Sequence, residues 1–185
     1  IECNVNSINT ASIVNWIPIN QNILSDDVDY YTNSSINDSL VYQKARDLLI
    51  NNDPIKADII FLHFDELDAA GHTFGFSPNI AEYRETLTIL DSYVDSLISI
   101  IDSKRLSGED WICFLISDHG GDGTGHGDYN NTKIRQTVFI AEHPFLNFKA
   151  NHKSNQTDIA PTILDFIGIS STKFDCKKDG ESIIQ

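Results

Sequence analysis

The stretch Asp58-Ile59-Ile60-Phe61-Leu62-His63-Phe64, followed at once by Asp65-Glu66-Leu67-Asp68-Ala69-Ala70-Gly71-His72, sets the fold class. Residues 58–64 are a near-continuous apolar run, the pattern of a strand buried on both faces, as in a parallel sheet. Downstream, Ser77-Pro78 carries a helix-opening signal, Ser as N-cap and Pro at the first helical position. Leu87, Leu90, Val94, Leu97 and Ile101 then step by three and four, which predicts a long amphipathic helix. Upstream, residues 10–16 predict a short strand and Ser25 to Asn37 a polar loop. Val41, Ala45, Leu48 and Leu49 share one face of a helix over 38–51, capped by Asn37 or Asp38 and stopped by Asn51-Asn52-Asp53-Pro54.

A second buried strand is expected at Trp111–Ser117, a Gly-rich loop at Gly120–Gly127 and a short strand at Thr137–Ala141. A last helix is expected over about Asp158–Phe166, with Gly168 in the C′ position. Helix and buried strand alternate, so the predicted class is α/β with a mostly parallel sheet, organised as one domain.

Composition sets limits on partners. With 13 Lys+Arg against 27 Asp+Glu, the net charge is -14 and the pI about 4.5. A phosphate-tracking nucleic-acid surface needs the opposite sign, and so does a polybasic membrane patch. No membrane-spanning segment is expected. The opening Ile1-Glu2-Cys3-Asn4 has no charged or apolar leader pattern and reads as internal to a longer gene product. Cys113, inside Trp111–Ile116, is expected to be a buried thiol; Cys3 and Cys176 could pair, with nothing in the sequence to prefer it. Asn-X-Ser/Thr triplets at Asn33, Asn37, Asn130 and Asn155 are close to the about two or three that chance supplies in such a chain.

Two segments carry chemistry: Asp65–His72 and Ser117-Asp118-His119-Gly120-Gly121-Asp122-Gly123-Thr124-Gly125-His126-Gly127. Each follows a predicted strand, so both are expected on glycine-rich turns along one sheet edge, where α/β sites form. Asp68, His72, Asp118, His119 and His126 offer carboxylates and imidazoles, a donor set suited to zinc and related divalent ions. His63 is better read as a satisfied core histidine, and Glu66, Asp122 and Asp128 as carboxylates facing water.

These segments, with Thr157-Asp158-Ile-Ala-Pro161-Thr162, occur in an order that resembles the alkaline phosphatase superfamily, nearest its type I phosphodiesterase / nucleotide pyrophosphatase family. The short spacing from Asp118-His119 to Gly125-His126-Gly127 is also similar to that of GPI ethanolamine-phosphate transferases. The resemblance runs from the Trp16 region to Gly168. It implies two divalent metal ions, zinc by ligand type: Asp68, His72 and His126 at the first, Asp118 and His119 at the second.

It further implies hydrolysis of a small-molecule phosphate ester, phosphodiester or pyrophosphate, through a Thr or Ser nucleophile and a covalent phospho-enzyme. The nucleophile, a further Asp ligand, the first strand and the nucleophile helix are expected in an N-terminal portion of the same polypeptide, ahead of Ile1. The isolated chain is therefore expected to be inactive. Ser117 is expected to hydrogen-bond at the strand end, and Thr73 to support the site at most. A phosphoglycerate-mutase-like enzyme would be expected to carry more basic residues than this chain has. A sulfatase would need a modified Cys or Ser ahead of Ile1. The alternatives to hydrolysis are an ethanolamine-phosphate-transferase-like enzyme and a non-catalytic metal-stabilised α/β module. The family resemblance leans towards an extracytoplasmic or secretory-pathway location.

Overall fold

The computed structural model describes residues 8–24, 27–51, 55–169 and 179–185; Cys3, Cys176, Ser25 and Asn52-Asp53-Pro54 lie outside them. The fold is α/β, with a small parallel sheet flanked by helices, consistent with an alkaline-phosphatase-like architecture. The residues group into two compact units: one runs to Glu109 and includes Asp122–Gly125, the other holds Asp110–Gly121 and His126–Gln185.

The first unit is built on strands β1 (Thr10–Val14), β2 (Tyr30–Tyr31) and β3 (Ile59–His63), all parallel in the order β2-β1-β3. β1 pairs with β3 in continuous register from Thr10–Ile59 to Val14–His63. Its central position seals Ala11, Ser12, Ile13 and Val14 from water. Strand β3 carries the stronger apolar run yet is only half-buried, with Phe61 exposed, because it is the edge strand of this sheet. Burial here follows place in the sheet, and the expectation of a doubly buried β3 is corrected.

Ser12 tolerates its buried position through partners. Its hydroxyl donates to Asn20 Oδ1 at 2.5 Å, and Asn20 Nδ2 donates to the Thr32 carbonyl at 2.9 Å. Asn20 sits on a π-helical turn, Ile19–Leu24, between β1 and β2. Buried polar atoms satisfied in this way avoid the penalty of lost hydration.

Helix α1 (Asp38–Asn51) packs on β1 and β3 through the predicted face, Val41, Ala45, Leu48 and Leu49. Asn37 is its cap, its Oδ1 accepting the Leu40 N–H at 2.9 Å. Helix α2 (Glu66–Phe74) follows β3 after two residues, and the turn expected at Asp65–His72 is therefore helical. Glu66, Leu67 and Ala69-Ala70 are good helix formers, which favours that outcome. Helix α3 (Ala81–Leu106) packs against α1 and α2, with Leu97 and Ile101 buried and Leu87 exposed. It starts at Ala81, later than the Ser77-Pro78 signal, because Ser77 Oγ accepts the Asn79 N–H in a local turn.

In the second unit β4 (Cys113–Ile116) pairs antiparallel with β5 (Phe139–Glu142), from Cys113–Glu142 to Ile116–Phe139. It forms a separate two-stranded sheet, whereas a parallel neighbour was expected, and Leu115, Ile116 and Ile140 are exposed. Cys113 is half-buried. A 3-10 turn (Gln156–Asp158) leads into helix α4 (Ile159–Phe166), closed at Gly168, whose φ of 76° is the left-handed C′ conformation predicted. No helix among the described residues is long and apolar enough to cross a membrane.

Candidate metal centre

Helix α2 sets the first group of donors. Four residues apart, Asp68 and His72 lie on one helical face, and Asp68 Oδ2 is 3.3 Å from His72 Nε2. The other ring nitrogen, His72 Nδ1, is 2.9 Å from the Thr124 carbonyl. A carbonyl only accepts, so Nδ1 carries a proton, and Nε2 is the nitrogen turned to the Asp68 carboxylate. The Phe76 ring meets the His72 imidazole edge-on, 5.4 Å between centroids, and limits its rotation. Burial first, and then the negative charge of Asp68, push the Tyr83 phenol above its ordinary pKa.

The segment that supplies the Thr124 carbonyl is held in the same unit. The Phe76 N–H donates to the Gly123 carbonyl at 2.7 Å, and Asp122 and Gly125 bridge each other across the turn. Gly123 alone among the described glycines of this loop has a left-handed φ, 59°.

The same logic recurs in the second unit. His119 Nδ1 is 2.9 Å from the Gly120 carbonyl and so carries the proton, while Nε2 lies 3.7 Å from Asp118 Oδ2. The His119 and His126 rings stack with centroids 3.8 Å apart, which brings two imidazoles to one place. Gln156 Nε2 donates to the carbonyls of Ser117 at 2.7 Å and Asp118 at 2.9 Å, fixing the backbone that carries Asp118. Gly120 is a matter of room, since a Cβ there would collide with the Lys133 carbonyl.

Within the first unit the structure thus pairs Asp68 with His72; within the second it groups Asp118, His119 and His126. His126 directly follows Gly125, the last residue of the Asp122–Gly125 segment. Metal-ligating histidines typically donate their other ring N–H to a carbonyl or carboxylate, the arrangement that Thr124 and Gly120 provide. A ring nitrogen turned towards a carboxylate calls for a cation or a proton between them. The donor set fits a divalent ion on both counts.

Ser117 Oγ accepts the Val138 N–H at 2.9 Å, the strand-end role expected of it. Thr73 Oγ1 donates to the Ala69 carbonyl at 2.8 Å and serves its own helix. His63 is half-buried, but its Nδ1 has no hydrogen-bond partner among the described residues, so it is not the satisfied core histidine expected. Glu66, expected to face only water, also accepts the Asp38 N–H at 3.4 Å. Asp158, in the Thr157–Thr162 segment, accepts from His152 Nε2 at 2.8 Å, Asn155 N at 2.9 Å and Glu181 N at 3.0 Å. Burial pushes its carboxyl up, but these hydrogen bonds and the His152 charge outweigh burial and hold the carboxyl below its ordinary value.

Comparison with known proteins identifies the family. The type I phosphodiesterase / nucleotide pyrophosphatase family matches residues 9–167, and the chain belongs to that family. Among curated proteins it is similar to the 2,3-bisphosphoglycerate-independent phosphoglycerate mutase of Malacoplasma penetrans (strain HF-2). That match is 33% identical over 120 residues, covering 62% of this chain and 21% of the relative. The mutase of the same name from Metamycoplasma hominis is 27% identical over 147 residues, covering 77% of this chain and 27% of the relative. The chain therefore spans roughly a quarter of the length of these relatives. These mutases are of the same superfamily, whose members are metal-dependent phosphoryl-transfer enzymes.

Proposed function

We propose that this chain supplies metal-holding residues of a phosphoryl-transfer site for small-molecule phosphate esters, with two divalent ions, Zn2+ by donor chemistry. Asp68, His72 and His126 would hold one ion, and Asp118 and His119 would contribute to the other. The observation that supports this most is the repeated arrangement at His72 and His119. In each, Nδ1 is committed to a backbone carbonyl and Nε2 turns to a neighbouring Asp.

When bound, the ions supply positive charge that steadies phosphoryl oxygens and lowers the pKa of a nucleophilic hydroxyl or water. The chain's own part is to present that charge. The Thr124 and Gly120 carbonyls hold both imidazoles in the tautomer that leaves Nε2 available. Asp68 and Asp118 supply the anionic donors, and a chain at -14 would otherwise repel an anionic ester.

The reaction assigned is hydrolysis of phosphodiester or pyrophosphate bonds, with a Thr or Ser nucleophile from outside these residues. Ser117 supports that placement, since its hydroxyl accepts the Val138 N–H, and neither Ser117 nor Thr124 opens a helix. The mutase relatives favour a second reading, in which an organic hydroxyl takes the phosphoryl group in place of water.

Calorimetric titration of the 185-residue chain with Zn2+ tests the metal assignment. Binding weakened by His72→Ala and by His126→Ala is expected; binding that neither change affects overturns it. Turnover of bis-p-nitrophenyl phosphate by this chain alone, lost in His126→Ala, would overturn the external nucleophile. Assaying the full gene product for diester hydrolysis against phosphoglycerate isomerisation separates the two readings. No bound metal, with chelator leaving thermal stability unchanged, would leave a plain α/β module.

A further inference from the structure

Helix α2 has nine residues, too short to stand without anchors. Its own N-cap residue, Asp65, makes no capping bond through its side chain. The acceptor comes from far away in sequence. Asp38, the first residue of α1 and only 2% exposed, accepts the Asp65 N–H at 2.9 Å on Oδ1 and the Glu66 N–H at 3.0 Å on Oδ2. Asn15, just past the end of β1, donates its Nδ2–H to Asp38 Oδ1 at 2.8 Å, and its own N–H is bonded to the His63 carbonyl at 3.1 Å. One buried carboxylate thus ties together the ends of β1 and β3 and the starts of α1 and α2.

We infer that Asp38 is a positioning residue: it caps α2 from outside and so sets where Asp68 and His72 stand. This rests on the reading of Asp68 and His72 as metal ligands. The three groups bonded to its oxygens (Asn15 Nδ2, Asp65 N and Glu66 N) are all donors, so both oxygens must accept. An amide in its place must turn its own NH2 group towards one of them. Asp38→Asn, nearly the same size, therefore loses at least one of these bonds while preserving packing.

Two measurements on the 185-residue chain test the inference, with Val41→Ala as a control. Val41 is fully buried on α1 within one turn of Asp38, and its truncation destabilises the same region without touching the α2 cap. In the metal-free chain, amide hydrogen exchange in the first turn of α2 should speed up about tenfold or more in Asp38→Asn relative to Val41→Ala at equal global stability. By calorimetry, Zn2+ affinity should fall about tenfold in Asp38→Asn, the scale of losses when ligand-orienting groups are removed, and should hold in Val41→Ala. Exchange and affinity that simply track global stability in both variants overturn the inference. If the unmodified chain binds no Zn2+, the metal reading falls, and the exchange measurement decides the role of Asp38 in placing α2.

Discussion

In the first unit Ile13, Val14, Val41 and Ala45 are sealed from water around a parallel sheet, whereas in the second the most deeply sealed residues are Asp158 and Thr162. Ile134 and Ile183 are the buried aliphatic residues of the second unit among those described. What organises its C-terminal part is polar. Asp158 gathers His152, Asn155 and Glu181, and Thr162 Oγ1 donates to the Asp158 carbonyl at 2.6 Å while accepting the Ile183 N–H at 3.1 Å. An apolar core responds to lost volume, and a carboxylate clamp responds to protons and lost acceptors. The two halves should therefore fail under different insults.

The largest expected effect is that of Ile13→Ala. Truncating a fully buried aliphatic side chain on the central strand should cost about 3–4 kcal/mol, by lost transfer energy and the cavity left behind. Urea unfolding gives the total, and amide exchange in β1 and in α4 shows where it falls. Loss concentrated in β1 and β3 is expected; equal loss in α4 would mean that the two units do not fail separately.

Next comes Asp158→Ala, at about 3 kcal/mol, because it strands the Glu181 and Asn155 N–H groups and the His152 ring without their acceptor. The same carboxylate makes the second unit sensitive to acid. Its folded pKa is lowered, so its contribution is fully present above the ordinary value of 3.8 and is lost as pH falls through the lower folded value. Asp158→Asn should remove that part of the acid dependence. Following the Ile183 amide by NMR between neutral and acid pH checks both statements; an unchanged acid profile in the variant would contradict the clamp.

These contrasts also explain what was legible in the sequence. Helix α1, the C-terminal half of α3 and the Gly168 stop follow from local periodicity and local backbone rules, and they stand where expected. Burial of β3 and the pairing of β4 do not, because both depend on which strand lies beside which, and an apolar run carries no address. Residue type drew attention to Asp68, His72, Asp118, His119 and His126, but the partners that orient them left no mark. Every residue has a carbonyl, so nothing sets Thr124 or Gly120 apart until the chain folds. Asp38 resembles an ordinary α1 cap, and its bonds to Asp65 and Glu66, across more than two dozen residues, are non-local.

Metal binding is a third lever on stability. Zn2+ at about 100 times its Kd should add about 2.7 kcal/mol of stability, reversed by chelator. Amide exchange in α2, which carries Asp68 and His72, should slow with it. Exchange in α2 that Zn2+ leaves unchanged would count against Asp68 and His72 as ligands, and His72→Ala should reduce the stabilisation.

The smallest effect concerns Gly123, a first-unit residue in a loop flanked on both sides by the second. Its φ of 59° is left-handed, its carbonyl accepts the Phe76 N–H, and the next carbonyl holds His72 Nδ1. A Cβ there would meet nothing within 4 Å, so the cost of Gly123→Ala is conformational only, about 1 kcal/mol. Gly123→Asn should cost less, because Asn visits the left-handed region more readily. Thermal melts of the two variants give the order. The Phe76 amide should lose protection in Gly123→Ala while the Ile183 amide keeps it. Equal cost for Ala and Asn would mean that this backbone conformation is not what holds Thr124 against His72.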